Sequence, residues 1–367
     1  MRIEDDDLSA AREEAQTVLA EWGISAAEIQ VVGAVPGMAG TILRPVVEVN
    51  GRRYLVRWQS PELSEADLRF RHAFMAHLRD AGLPVPGLLS RPDGTTHAIT
   101  DNGLYEVQEW LDGGEFASED AGDGGEAELE AAARMLGRLH QASAGFQWQP
   151  YRWPEERSAD GLARSYIGLI EQAAQRDEAP VVVKSALTRI AEACDGRREA
   201  ATSAFAIEPA PPQLHIHGDY QAHNLRFGPS EVSAIYDFDA ARWDTRLLEL
   251  AYSLLYFTGV RWDDAFIPTP PLVDDGLDIL RVHRYLGAYG REAPPAEGEA
   301  ALLADALALV FPIVFANGIA EDLVFPDEFE TEGDEEDALS RLHWADTFWL
   351  WLDRYRETIA QAWENAR

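Results

Sequence analysis

Lysine is almost missing from this chain: of 31 basic residues, Lys184 is the only one that is not arginine. Positive charge is scarce altogether, with 64 acidic residues against those 31 and a net charge of −33. Such a surface repels phosphate backbones and anionic headgroups, so neither nucleic acid nor a membrane is an expected partner. It fits a protein kept soluble in high salt, where screening weakens self-repulsion; a GC-rich genome would equally favour arginine over lysine. Cysteine occurs once, at Cys194, so no internal disulfide can form and a reducing cytoplasm is the expected location. The opening "MRIEDDD" lacks the basic and apolar segments of a secretion signal. Long apolar runs are lacking too. The richest, "ALLADALALVFPIVFA" from Ala301, contains Asp305 and Pro312. It falls short of the roughly 20 residues a membrane span needs, and predicts a buried helix.

What is present is core-forming material. The 367 residues are 46% hydrophobic and 10% aromatic, with eleven tryptophans, which excludes global disorder and allows two domains or one two-lobed unit. "LSAAREEAQTVLAEWG" spaces its apolar residues helically and stops at Gly23. In "VVGAVPGMAGTILRPVVEVNGRRYLVRW", two β-rich runs follow a glycine-dotted turn, and Asn50-Gly51 is a strong hairpin signal. "SEADLRFRHAFMAHLRDAG" reads as an amphipathic helix, and "THAITDNGLYEVQEWL" as two strands around Asn102-Gly103. The expectation is an α+β chain. Residues 1–111 form a small, mostly antiparallel sheet with one helix packed on it, and residues 112–367 form a mostly helical lobe. The tract Asp327–Asp337, with eight carboxylates in eleven positions, predicts a solvated loop. Trp344, Phe348, Trp351 and Tyr355 recur at helical spacing, the pattern of a core-facing stripe.

One stretch looks chemical: "LHIHGDYQAHNLRFGPSEVSAIYDFD", residues 214–239. Its strands "LHIH" and "EVSAIYDF" flank a loop near Gly228-Pro229, and a hairpin there would gather Asp219, Asn224 and Asp237 at one end. Carboxylate and amide oxygens are hard ligands suited to Mg²⁺, which keeps several waters and needs few protein groups. A carboxylate left off the metal would be free to receive a proton from a hydroxyl. That combination serves phosphoryl transfer, where catalysis is mostly positioning and charge neutralisation. His215, His217 and His223 raise zinc as an alternative, although the neighbouring oxygen ligands suit a harder ion.

His-Gly-Asp-x-x-x-x-Asn followed by "YDFDAARWDTRLLELAYSL" resembles the catalytic and metal loops of the protein-kinase-like fold. The match is to its aminoglycoside phosphotransferase, choline kinase and homoserine kinase type II branch. The resemblance runs through the chain in order: glycine turn, strand with a basic residue, helix, "LPVP", "YEVQEWL", then the two loops. It implies a kinase with ATP and Mg²⁺ as cofactors and the nucleotide between a sheet-rich and a helical lobe. By that resemblance Asp219 is the catalytic base, Asn224 and Asp237 hold the metal, and His217 and Glu249 support the loop. Gln108, Glu109, Trp110 and Leu111 would meet adenine through backbone groups, and Gly33, Gly37 and Gly40 would admit the phosphates.

The chain departs from the family pattern where a lysine ordinarily holds the phosphates, because no lysine precedes Lys184. In "RRYLVRW" that place falls on Arg57, whose planar guanidinium stays charged and grips phosphate with a different geometry. Its expected acidic partner on the following helix falls on Arg71. Glu65 is the favoured substitute, with Glu62 and Asp67 nearby. A nucleotide-binding scaffold without turnover is the resulting rival reading. Only twelve positions separate Asp237 from Glu249, little room for the activation segment of a protein kinase. The expected acceptor is therefore a hydroxyl of a small molecule of aminoglycoside, amino alcohol or sugar type, with a stress-response-type protein kinase as the alternative.

Overall fold

The structure is a computed structural model. It describes residues 5–36, 43–59, 63–100, 103–116, 125–148, 158–177, 179–207, 210–262, 268–273, 275–324 and 332–366. The chain divides into two units, Met1–Gly113 with Ser233–Tyr236, and Gly114–Val232 with Asp237–Arg367.

The first unit is built on a five-stranded antiparallel sheet. Its strands are β1 (Gln30–Pro36), β2 (Leu43–Val49), β3 (Arg52–Gln59), β4 (His97–Thr100) and β5 (Gly103–Glu109), in the order β1-β2-β3-β5-β4. Asn50 and Gly51 both take positive φ, 54° and 73°, as a two-residue turn matched to strand twist requires. Helix α1 (Asp5–Ala20) and the turn after it bury Ala15, Val18, Leu19 and Trp22 against Val47, Tyr54, Val56, Tyr105 and Val107. Because side chains alternate across a strand, Arg57, Glu106 and Gln108 fall on the opposite face. Helix α2 (Glu65–Asp80) reaches that face; Ser64 starts it by accepting the Asp67 N–H at 3.1 Å. Two helices therefore serve the sheet where the sequence pattern suggests one.

The second unit is mostly helical. It contains α3 (Glu126–Ser143), α4 (Ala159–Ala174), α5 (Val181–Phe205), α6 (Arg246–Gly259), α7 (Ile279–Glu292), α8 (Leu303–Val314), α9 (Glu321–Val324) and α10 (Glu332–Glu364). Its short strands β6 (Gln213–Ile216), β7 (Leu225–Phe227) and β9 (Arg242–Thr245) frame the chemical stretch, while β8 (Val232–Ile235) belongs from Ser233 onward to the first unit. The hairpin expected of "LHIH" and "EVSAIYDF" does not form. Instead β6 pairs antiparallel with β9, from Gln213↔Thr245 to Ile216↔Arg242, while the Gly228-Pro229 turn joins β7 to β8. The buried Leu214 and Ile216 thereby gain a partner strand that the intervening polar loop denied them.

Two further expectations are revised. The apolar helical run is 20 residues, Ala300–Ile319, long and apolar enough to span a bilayer, but 83% of its spanning window is buried inside the fold. Phe311 on it stacks on Phe348 at 4.3 Å and on Trp344 at 5.6 Å, so the aromatic stripe is core. Residues Glu332–Asp337 of the acidic tract open α10 and are not a loop. Carboxylates in a first turn are favoured by the positive end of the helix dipole, which offsets their mutual repulsion. Residues 327–331 lie outside the described residues.

Candidate active site

The pairing of β6 with β9 sets the site. Ile216 and Arg242 are partners, so the loop leaving β6 and the loop entering β9 start side by side. The first carries His217, Gly218, Asp219 and Asn224; the second carries Asp237. Gly218 shows how closely they pack. Its φ is +86°, and a Cβ there would lie 2.1 Å from the Ala240 carbonyl oxygen, so only glycine fits. The His217 ring also lies 4.5 Å from that of Phe238.

Helix α6 holds the first loop from below. The buried Glu249 accepts the backbone N–H of His217 at 3.1 Å and that of Gly218 with its other oxygen. Burial alone would raise the Glu249 carboxyl. The hydrogen bond and charge of His140, with His217 and the Gly218 amide, outweigh it and hold the carboxyl below its ordinary value. His140 Nε2 sits 2.8 Å from Glu249, and its Nδ1 meets the Tyr289 hydroxyl at 2.8 Å. His217 is fully buried, and its Nδ1 accepts the Asp219 N–H at 3.2 Å, which places the ring proton on Nε2.

Asp219 is fixed by three side-chain donors. Tyr252, one turn beyond Glu249 on α6, donates its hydroxyl at 2.6 Å; Gln221 Nε2 donates at 2.9 Å and Asn224 Nδ2 at 2.8 Å. Burial, then the Asp219 charge, push the Tyr252 phenol well above its ordinary value, so it stays a donor. Burial, then the same charge, raise Tyr256 and Tyr166 as well, and Glu321 adds to both.

The residues fit a hard divalent cation. The Asn224 amide nitrogen is spent on the Asp219 carboxylate and on the Asp219 carbonyl, both at 2.8 Å. That fixes which end of the amide is which, and no described donor reaches its Oδ1, which is left for a ligand. Asp237 adopts a left-handed backbone, φ 61° and ψ 66°, at the start of a short 3-10 turn over Phe238–Ala240. A non-glycine residue is held in that region only when its surroundings fix it, and such residues cluster at functional sites. His215, by contrast, lies edge-on between Phe146 and Trp243, each at 4.9 Å, and burial lowers it to about 4. Among the described residues, no group of three His, Cys, Asp or Glu side chains is arranged for a metal.

In the first unit, Arg57 meets a carboxylate other than the one the sequence suggests. Glu106, its cross-strand neighbour on β5, lies 3.1 Å away with both side chains buried. Glu65 instead pairs with Arg69 at 3.3 Å on an exposed helix face, because it belongs to the first turn of α2. His72 Nε2 approaches Glu106 at 2.8 Å, Gln108 Nε2 donates to it at 2.7 Å, and the buried Arg71 reaches Gln59 at 3.4 Å. Burial would raise the Glu106 carboxyl; His72, Arg57 and Arg71 together hold it far below the usual range.

The segment expected to meet adenine is engaged within its own unit. Gln108 is an interior sheet residue paired with Leu55. The Glu109 N–H donates to Gly87 O at 2.7 Å and the Trp110 N–H to Arg53 O at 2.9 Å. The Leu111 N–H donates to the Tyr236 hydroxyl at 2.6 Å. Gly33 lies in β1 opposite Val46, with open space where a Cβ would sit, so nothing there demands glycine. Gly37, Gly40 and Glu62 lie outside the described residues. Sequence reasoning misses Tyr252, Gln221, His140 and Glu106. The signal for the first is its one-turn spacing from Glu249, and for the last a lone charge inside an apolar strand.

Comparison with known proteins agrees with this architecture. The chain resembles an amicoumacin kinase solved in complex with AMP-PNP, Ca²⁺ and Ami, at 14% identity and a TM-score of 0.61, covering 98% of this chain and 96% of that one. It resembles an aminoglycoside phosphotransferase from Alicyclobacillus acidocaldarius at 17% identity and TM-score 0.60, covering 94% and 96%. A microcompartment-associated aminopropanol kinase matches at 14% and 0.59, covering 95% and 98%. These likenesses show a protein-kinase-like fold. The model of the phosphotransferase enzyme family (APH) matches residues 40–303, most of the chain. The chain therefore belongs to the APH phosphotransferase enzyme family, and it is a kinase whose phosphate acceptor is an alcohol group.

Proposed function

We propose that the protein transfers the γ-phosphate of ATP, with Mg²⁺, to a hydroxyl of a small molecule. The observation that carries this reading is the Asp219 carboxylate, fixed by Tyr252, Gln221 and Asn224 beside the loop that bears Asp237. Asp219 accepts the proton of the acceptor hydroxyl as the oxygen attacks the γ-phosphorus, and ADP leaves. Asn224 Oδ1 and the Asp237 carboxylate are the groups that would hold the cation. A divalent ion there supplies neutralisation of the charge on the phosphates. Arg57 is assigned to the nucleotide phosphates, aimed by Glu106, and the Glu109–Leu111 backbone to the base.

A small acceptor is favoured by the course of the chain beyond Asp237. It passes from a 3-10 turn through β9 into α6 with no segment inserted to dock a peptide. Asp219→Asn keeps the side-chain shape and removes the base. ADP release over a panel of aminoglycosides, amino alcohols and sugars should fall by about 100-fold or more, with AMP-PNP affinity unchanged. Equal turnover in the variant and the wild type would remove the assignment.

A further inference from the structure

We propose that Tyr236 controls nucleotide affinity by occupying, with its own hydroxyl, the backbone groups that the base would use. The inference rests on the reading that Glu109–Leu111 receive the base. At Leu111 the phenol performs both halves of a base edge with one atom: it accepts the Leu111 N–H at 2.6 Å and donates to the Leu111 C=O at 2.9 Å. The arrangement closes one of the few donor–acceptor pairs that this segment has to offer, since the N–H groups of Glu109 and Trp110 are already spent on Gly87 and Arg53. A purine edge seeking Leu111 therefore competes with Tyr236.

The backbone bearing Tyr236 is pinned, so the competition is settled by the side chain. Ser233 donates its hydroxyl to Asp112 O at 2.8 Å and the Ile235 N–H donates to Pro84 O at 2.9 Å. The ring is half-buried and lies 6.4 Å from the Trp110 ring, tilted by 44°. A χ1 rotation releases Leu111 without moving the main chain. Release exchanges two hydrogen bonds for the two that the base makes, so the phenol subtracts from base binding while leaving phosphate binding alone. Asp237, the proposed metal ligand, is the next residue in the chain.

The test compares wild type and Tyr236→Phe by calorimetric titration with AMP-PNP and, separately, tripolyphosphate, both with Mg²⁺. Circular dichroism verifies the fold of the variant. Removing the hydroxyl should tighten AMP-PNP about tenfold, the worth of one net hydrogen bond, and leave tripolyphosphate unchanged. Hydrogen exchange in the wild type gives a second reading that no substitution disturbs: the Leu111 amide should be protected before nucleotide is added. AMP-PNP binding that is unchanged or weakened in Tyr236→Phe, or a Leu111 amide that exchanges freely in the free protein, would overturn the proposal. Binding of AMP-PNP to neither protein would remove the nucleotide reading itself, and this inference with it.

Discussion

Glu106 carries its charge in the interior of the first unit's sheet, at 2% exposure, where an unpaired carboxylate would cost several kcal/mol. Arg57, His72 and Gln108 make that position tenable, and each is in turn fixed by it. Glu106→Gln leaves the buried Arg57 without its charge partner and should destabilise the fold by about 3 kcal/mol at pH 7, measured by urea unfolding. The carboxyl is held below its ordinary value of 4.5. Its contribution is therefore complete above that pH and is lost as pH falls towards the folded value, so wild type and variant should converge in acid. Equal stability at pH 7, or a gap that ignores pH, would contradict this. The sequence shows a charge inside an apolar strand, "YEVQ", yet its partner is 49 residues distant and set by strand register. Proximity on the following helix points to Glu65 instead, and proximity says nothing of register.

Two elements, β6 and β9, decide whether the loop of Asp219 and Asn224 meets the loop of Asp237. Their pairing is not legible in the sequence, because a four-residue strand matches several partners equally well and the nearest in sequence is the natural choice. The loops themselves are legible, since His-Gly-Asp, Asn224 and Asp237 keep fixed spacings whichever strands flank them. Gly218 ties the two levels together. Gly218→Ala forces a strained φ and drives its Cβ towards Ala240 O, which shifts Asp219 relative to Asp237. Turnover should fall by about 100-fold for a displacement near 1 Å, with the circular dichroism spectrum unchanged. Wild-type turnover in Gly218→Ala would show that the close approach of the loops is unimportant. The opening of α10 illustrates the converse error: a correct charge count at Glu332–Asp337 suggests a loop until the helix dipole is counted as well.

The whole molecule is an acidic, arginine-rich kinase in which each unit carries its own polar cluster. The first holds Arg57 and the Leu111 backbone; the second holds Asp219, Asn224 and Asp237. Order along the chain and the spacing of the two loops are enough to expect that division. Of the supports for the loops, Tyr252 at Asp219 is signalled by its one-turn spacing from Glu249, whereas His140 at Glu249 depends on helix packing that no local pattern encodes. The central claim is that Asn224 and Asp237 share one cation beside the base. It is tested most directly by the Mg²⁺ concentration giving half-maximal ADP formation in wild type, Asn224→Ala and Asp237→Asn. The account predicts that this concentration rises by about tenfold or more in both variants. Unchanged Mg²⁺ dependence in either would contradict it.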